Sequence, residues 1–307
     1  GMPQAPAAPS FGPAGPSKPK PYADGGEVEL YADGGQQPAP GIVRQAVGIA
    51  LGLAYALLWT VLADRAGARG RQRSAVFHGL STAIIVFPLL CETTFHMRFF
   101  SAPASAVAVA AAAFLALFVA WRRNLSGLAW VIFAGAVPAT IALAFAMGMS
   151  VHFSFCIVSL GLGALWLSYL RGWEILGWLV AFAVDFMVLL ETDVLLDTPG
   201  HALVRDLGPG SLVAVQLSFM IAYLGSFLCR TLARGEDVSV PEMVQAAAVA
   251  FIGLGGATVV ARVTGALVVP LGAVSLCLAA GSYGVSFTFI DRRLGRRCAC
   301  HHRASRA

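Results

Sequence analysis

Asp185 is the residue whose type and position point hardest at chemistry: an acid inside the apolar stretch from Gly172 to Leu190. A carboxyl at the centre of a membrane helix costs about 2.5–3.5 kcal/mol to insert, so its side chain must avoid lipid. Glu174 lies eleven positions earlier, with Trp178 between them. That spacing turns about 20° round a helix and climbs about 16 Å along it, so both carboxyls share one stripe. The stripe should point into a bundle. No Lys or Arg sits at comparable depth in any apolar run, so Asp185 is expected to be protonated or bonded to Ser, Thr or His. Two readings stay open. Intramembrane carboxyls mark proton or solute paths, and a single protonated Asp can also simply bond neighbouring helices.

A second polar face combines His78 and Thr82, at i, i+4, with Ser81 beside them. Helix–helix hydrogen bonds are the plain reading of such a face. Glu92 and His96 follow at the outer end of the same run, and Glu191 and Asp193 are expected on that outer side too. These four are the candidates for the convergent polar groups an interfacial enzyme would need. Glu92 and His96 could ligate a metal only if their segment is helical, so no metal is assigned. Cys298, Cys300, His301 and His302 include soft ligands, but structural zinc sites space their pairs more widely, as C-x₂₋₄-C and H-x₃₋₅-H. A basic tail is the simpler account. There is no P-loop, dinucleotide glycine fingerprint, H-E-x-x-H or nucleophile elbow, so no cofactor and no catalytic residue are assigned, and the enzyme reading leans to no.

The elements that must position these residues are apolar runs. Gln45–Ala63, Ser74–Cys91, Phe99–Trp121, Asn124–Leu170, Leu207–Cys229, Met243–Ala261 and Val263–Ile290 contain no charged side chain. About 20 apolar residues cross a hydrocarbon core of roughly 30 Å, and Asn124–Leu170 is long enough for two passes. With the run around Asp185, the fold class predicted is an all-α polytopic transmembrane bundle of about nine spans. Only 12 % of the 307 residues are charged, against about 25 % in soluble domains, so the chain lacks the surface a water-soluble protein needs. Residues 1–40 form a Pro-, Gly- and Ala-rich tail expected to be disordered. Residues 41–293 form the helical domain, and 294–307 a basic tail containing Cys and His. Neither tail can bury a core of its own, since domains below about 40 residues rarely stand unaided.

Charge orders the loops. Arg65, Arg69, Arg71, Arg73, Arg122, Arg123, Arg171, Arg230 and Arg234 fall in every second connection, and Arg292, Arg293, Arg296, Arg297, Arg303 and Arg306 in the C-terminal tail. The other side carries only Lys18, Lys20, Arg44, Arg98, Arg205 and Arg262. Positive-inside bias then predicts an external N-terminus and a cytoplasmic C-terminus. The net charge of +5 belongs to this bias and not to nucleic acid, because no clustered basic face on a soluble fold is present in the pattern. The partners expected are the lipid bilayer and other membrane proteins or a second copy.

The stretch Phe87-Pro88-Leu89-Leu90-Cys91-Glu92-Thr93-Thr94-Phe95-His96, the later Ala120-Trp121-Arg122-Arg123-Asn124-Leu125, and Tyr283-Gly284-Val285-Ser286-Phe287-Thr288-Phe289-Ile290-Asp291-Arg292-Arg293 resemble a bacterial family of multi-pass membrane proteins, domain of unknown function 2339. The resemblance covers roughly 41–293. It implies an integral protein of the bacterial inner membrane with many helices and no established reaction or catalytic residues. Family members usually continue with further spans, so the resemblance leaves open a complete protein and a truncated or frame-shifted fragment. The first function expected is a structural or accessory envelope scaffold, which predicts a dry, closed bundle around Asp185. A transporter-like protein with a proton or small-solute path at Asp185 predicts a water-accessible cavity and broken helices. An intramembrane enzyme on a lipid-linked substrate predicts convergent polar residues at an interfacial cleft.

Overall fold

A backbone in hydrocarbon must satisfy every N–H and C=O internally, so each apolar run has one ready solution, the α-helix. The computed structural model of the chain describes residues 40–148, 150–197, 208–231, 240–265, 268–284 and 287. The helices are α1 (Pro40–Ala68), α2 (Gln72–Phe95), α3 (Ala102–Arg123), α4 (Ser126–Ala146), α5 (Val151–Arg171), α6 (Glu174–Asp197) and α7 (Pro209–Cys229). Then come α8 (Val240–Ala250), a π-helical turn (Phe251–Gly255) and α9 (Gly256–Thr264), which together make one continuous span, and α10 (Val268–Gly284). The fold is all-α, with eight helices among the described residues long and apolar enough to cross a membrane. The ninth span expected up to Ile290 is represented by the shorter α10, and its end lies outside the described residues, as do 1–39 and 294–307. The chain divides into Gly1–Val43 and Arg44–Ala307, and the contacts below lie within the second unit.

Helix α5 is the hub, packing on α3, α4, α6 and α7, while α2 packs on α4. Small residues permit these approaches. A Cβ at Gly79 would strike the Leu128 side chain, and one at Gly135 the Phe87 ring, so α2 and α4 close to a distance only glycine allows. The large apolar side chains left exposed, among them Leu51, Val107, Phe182 and Phe251, suit a lipid-facing surface.

The helix ends that carry arginine gather together. Arg123 at the end of α3 makes a two-pronged pair with Asp64 of α1, at 2.6 and 3.0 Å. Arg171 at the end of α5 donates to the Trp121 carbonyl at 2.6 Å, and Arg230 after α7 lies 4.6 Å over the Tyr169 ring. The alternation of arginine along the sequence is thus an end of the bundle in space.

Two boundaries differ from expectation. The first span is longer than Gln45–Ala63, because α1 carries on through the charged Asp64, whose carboxylate is paired to Arg123. Helix α6 runs to Asp197 instead of ending near Leu190. Glu191 and Asp193 are therefore helical and not part of a polar loop.

Candidate functional site

The polar residues converge where α5, α6, α7 and α8 meet at the arginine-rich end. Gly172 makes the tight reversal from α5 to α6: its φ of 73° is in the left-handed region, which glycine enters without steric cost, and its N–H bonds the Ser168 carbonyl at 2.8 Å. On α6, Gly177 then rides on the Ser168 side chain, where a Cβ would sit 3.0 Å away. On the other side Pro241 opens α8 in its first turn, a position where its missing N–H costs nothing. These features frame a cleft of about 140 Å³, lined by Leu165, Ser168 and Tyr169 of α5; Glu174, Gly177, Trp178 and Ala181 of α6; Phe227 and Arg230 from α7; and Pro241, Glu242 and Gln245 of α8. That is room for several waters beside these polar side chains.

Arg230 is clamped between the Glu242 carboxylate, with which it forms an ion pair, and the face of Tyr169. One turn further along α8, Gln245 leaves the cleft wall and donates its Nε2–H to Asp185 Oδ2 at 3.0 Å. The carboxyl in the middle of α6, only 8 % exposed, is thus one side chain removed from the cleft. Of the stripe expected to point into the bundle, Asp185 is buried, whereas Glu174 is an exposed cleft residue and Trp178 is 40 % exposed. The partner differs from expectation: it is the amide of Gln245, not Ser, Thr or His. The other carboxyl oxygen, Oδ1, has no hydrogen-bond partner among the described residues.

Tyr223 of α7 is fully buried, and its hydroxyl also lacks a partner among the described residues. The hydroxyl occupies space that Gly161 of α5 leaves empty; a Cβ there would collide with it and with Val184. Beyond this level the interface turns apolar through Val188, Phe219, Met220 and Val249, each at most 1 % exposed. A second polar level follows. Gln216 of α7 donates to Thr192 of α6 at 2.8 Å, and Gly253 and Gly256, in and just after the π-helical turn, lie so close that a Cβ on either would strike Met220 or the Gln216 side chain. Gln216 Oε1 is buried without a partner among the described residues. Next to Thr192, Glu191 is 3 % exposed and accepts the Ser154 hydroxyl of α5.

The remaining candidates lie elsewhere. His78 bonds Ser74 at 3.2 Å and packs on Trp59 at 5.2 Å between centroids. Thr82 donates to the His78 and Ala56 carbonyls and shares a 3.3 Å bond with Thr60. Both residues join α2 to α1 and take no part in the α6 site. Glu92 and His96 pair at 2.9 Å on the exposed end of α2; their segment is helical, but two ligands alone do not hold a metal. No group of three or more His, Cys, Asp or Glu placed to hold a metal occurs among the described residues. The four outer-face candidates are not brought together: Glu191 points into the α5–α6 interface, and Asp193 is exposed. Cys298, Cys300, His301 and His302 lie outside the described residues.

Sequence reasoning misses Gln245, Gln216 and Tyr223. A signal for the two amides does exist: each is the only Asn or Gln in its uncharged run, Met243–Ala261 and Leu207–Cys229. No protein-family model, curated protein or solved structure matches the chain. Sequence and fold together make it a multi-pass integral membrane protein of all-α architecture, with a polar seam between α5, α6, α7 and the α8–α9 span.

Proposed function

We propose that this chain is a transporter-like protein of the bacterial inner membrane that carries protons along the seam containing Asp185. One observation carries the reading: Asp185, at mid-span, is linked by Gln245 to a cleft at the arginine-rich end. By positive-inside bias that end faces the cytoplasm. Three further features support it. The cleft has room for waters, the carriers a proton needs to reach Gln245. The α8–α9 span is interrupted by a π-helical turn, a feature frequent at functional sites. The apolar level of Val188, Phe219, Met220 and Val249 separates the two polar levels, as a seal must in a protein that does not leak.

A scaffold calls for a dry bundle around Asp185, and the adjoining cleft weighs against it. An interfacial enzyme calls for convergence of Glu92, His96, Glu191 and Asp193, and their separation weighs against that class. Membership of domain of unknown function 2339 is part of the same proposal, supported by the three sequence stretches that resemble it.

Purified protein in liposomes holding a pH-sensitive dye tests the reading, with a potential imposed by potassium and valinomycin. Wild type should acidify or alkalinise the lumen according to the sign of the potential. Asp185→Asn should fold normally and abolish the flux, because an amide does not titrate. Flux in Asp185→Asn equal to wild type, or none in wild type above protein-free liposomes, would refute it.

A further inference from the structure

Helices α2 and α4 each carry a proline inside the span, Pro88 and Pro138. Proline has no N–H, so the carbonyl four residues earlier loses its helical donor. Those carbonyls belong to Ile84 and Ala134. They stand at one level, because α2 and α4 pack together and a Cβ at Gly135 would lie 3.6 Å from the Ala83 Cβ. Counted from the arginine-rich ends of their helices, they lie about 18 Å and about 12 Å along the axis, well inside the hydrocarbon. Between the prolines is a groove of about 530 Å³, lined by Ile84, Pro88, Ala134 and Pro138, all four exposed on the outer surface. Apart from the Cys91 thiol, its other lining side chains are apolar too. The neighbouring hydroxyls are spent elsewhere: Ser81 donates to the Phe77 carbonyl, Thr82 to the His78 carbonyl and Thr140 to the Ala136 carbonyl, at 3.2, 3.2 and 2.7 Å. No water is at hand in lipid to replace a lost donor, so a bare acceptor there is costly.

The geometry points to a binding site for one membrane-soluble hydroquinone, its ring between the two prolines and its apolar tail toward lipid. Size fits. Sites for small organic ligands are clefts of roughly 300–1,000 Å³ with apolar walls and a few placed polar groups, backbone carbonyls among them. Chemistry fits the reduced ring. The placed groups are acceptors, so the ligand must donate. A hydroquinone carries two hydroxyls at opposite ends of a short rigid body, one for each wall. Its oxidised form, the quinone, has carbonyls alone and can bond neither. Depth sets aside a phospholipid head, which stays in the interfacial layer. The site lies on α2 and α4, away from the α5–α8 cleft, and it goes beyond the proton reading without resting on it.

Purified protein in detergent is titrated without oxygen against a hydroquinone with a decyl tail, the matching quinone and the matching bis-methyl ether. Bound compound is counted after equilibrium dialysis. One hydroquinone should bind per chain, and the quinone and the ether about tenfold or more weakly, as two lost hydrogen bonds require. Pro88→Ala combined with Pro138→Ala returns both N–H groups, which take up the two carbonyls. That double variant should bind the hydroquinone no better than wild type binds the ether. Ala142→Trp fills the groove from an exposed position on its α4 wall, should abolish binding, and stands in should the double variant not fold. Equal binding of the three compounds would overturn the site and leave ordinary partition into an apolar groove. Wild-type affinity for the hydroquinone in a folded variant would overturn it as well. A dimer by light scattering that takes up no hydroquinone and is split by Ala142→Trp would overturn it too, and give the groove to a second copy.

Discussion

Breaking the contact between Asp185 and Gln245 tests the centre of the reasoning, because its strength depends on what the carboxyl is. Gln245 Nε2 donates to Oδ2 at 3.0 Å, and Oδ1 has no partner among the described residues, so one bond joins α6 to α8 here. Between neutral groups, an interhelical hydrogen bond in a membrane protein contributes about 0.6 kcal/mol on average and about 1.7 at most. A bond to a charged group is worth about 1.5–3 kcal/mol. A double-mutant cycle of Asp185→Leu and Gln245→Leu, measured by reversible unfolding in mixed detergent, should therefore give a coupling of about 0.6–1.7 kcal/mol if the carboxyl is a neutral acid. The coupling should rise toward about 3 kcal/mol as the pH is raised enough to ionise it, since the carboxylate is the stronger acceptor. Coupling below about 0.3–0.5 kcal/mol at every pH is the level of residues that do not touch. That result would refute the contact and with it the link from the cleft to Asp185.

Three other outcomes follow from the same packing. Tyr223→Phe should leave stability unchanged or raise it by up to about 1–3 kcal/mol, because it removes a buried hydroxyl without a partner; a thermal melt in detergent measures this, and clear destabilisation would mean the hydroxyl is bonded. Gly161→Ala should cost about 1–3 kcal/mol by driving a Cβ into Tyr223 and Val184, whereas Gly225→Ala, with nothing within 4 Å of its Cβ, serves as the neutral control in the same melt. In a background without native cysteines, Arg71→Cys should label with an impermeant maleimide only from the cytoplasm and Gly208→Cys only from outside. Labelling of both from one side would invert or break the topology.

The spans were legible because hydropathy is a one-dimensional property: a run of apolar residues without charge has few other stable fates in lipid. The placing of Glu174 and Asp185 on one helix was legible for the same reason, but not their surroundings, since Glu174 and Trp178 are exposed and Asp185 is buried. The partner of Asp185 was not legible, because Gln245 is 60 positions away and nothing local says which helices touch. Glu191 fails in a more instructive way. An acid ends an apolar run in any hydropathy reading, yet α6 continues through it because the Ser154 hydroxyl on α5 supplies a donor. The interruption of the α8–α9 span had a visible cue in Gly253, Gly255 and Gly256. Glycines are equally common where helices merely pack closely, and the close approach of Gly253 to Met220 is that ordinary use as well.

Buried polar atoms without a hydrogen-bond partner among the described residues occur at two places: Trp59 Nε1 and His78 Nδ1 lie where α1 meets α2, and a second group lies in the seam, where it fits the proposed working role. Three such atoms among the described residues, Asp185 Oδ1, Tyr223 Oη and Gln216 Oε1, sit on α6 and α7 around one interface. Each costs about 1–3 kcal/mol relative to a satisfied one. Helices held only for stability have a more favourable arrangement, because apolar residues of similar volume often replace buried polar groups with no loss. The apolar level of Val188, Phe219, Met220 and Val249 is that arrangement, realised between the two polar levels of the same helices. A seam that alternates the unfavourable solution with the favourable one departs from local consistency at particular residues, and such departures are where function is expected. The polar levels are also the ones placed beside the cleft and beside the π-helical turn, where a group that must exchange a proton would need access and room to rearrange.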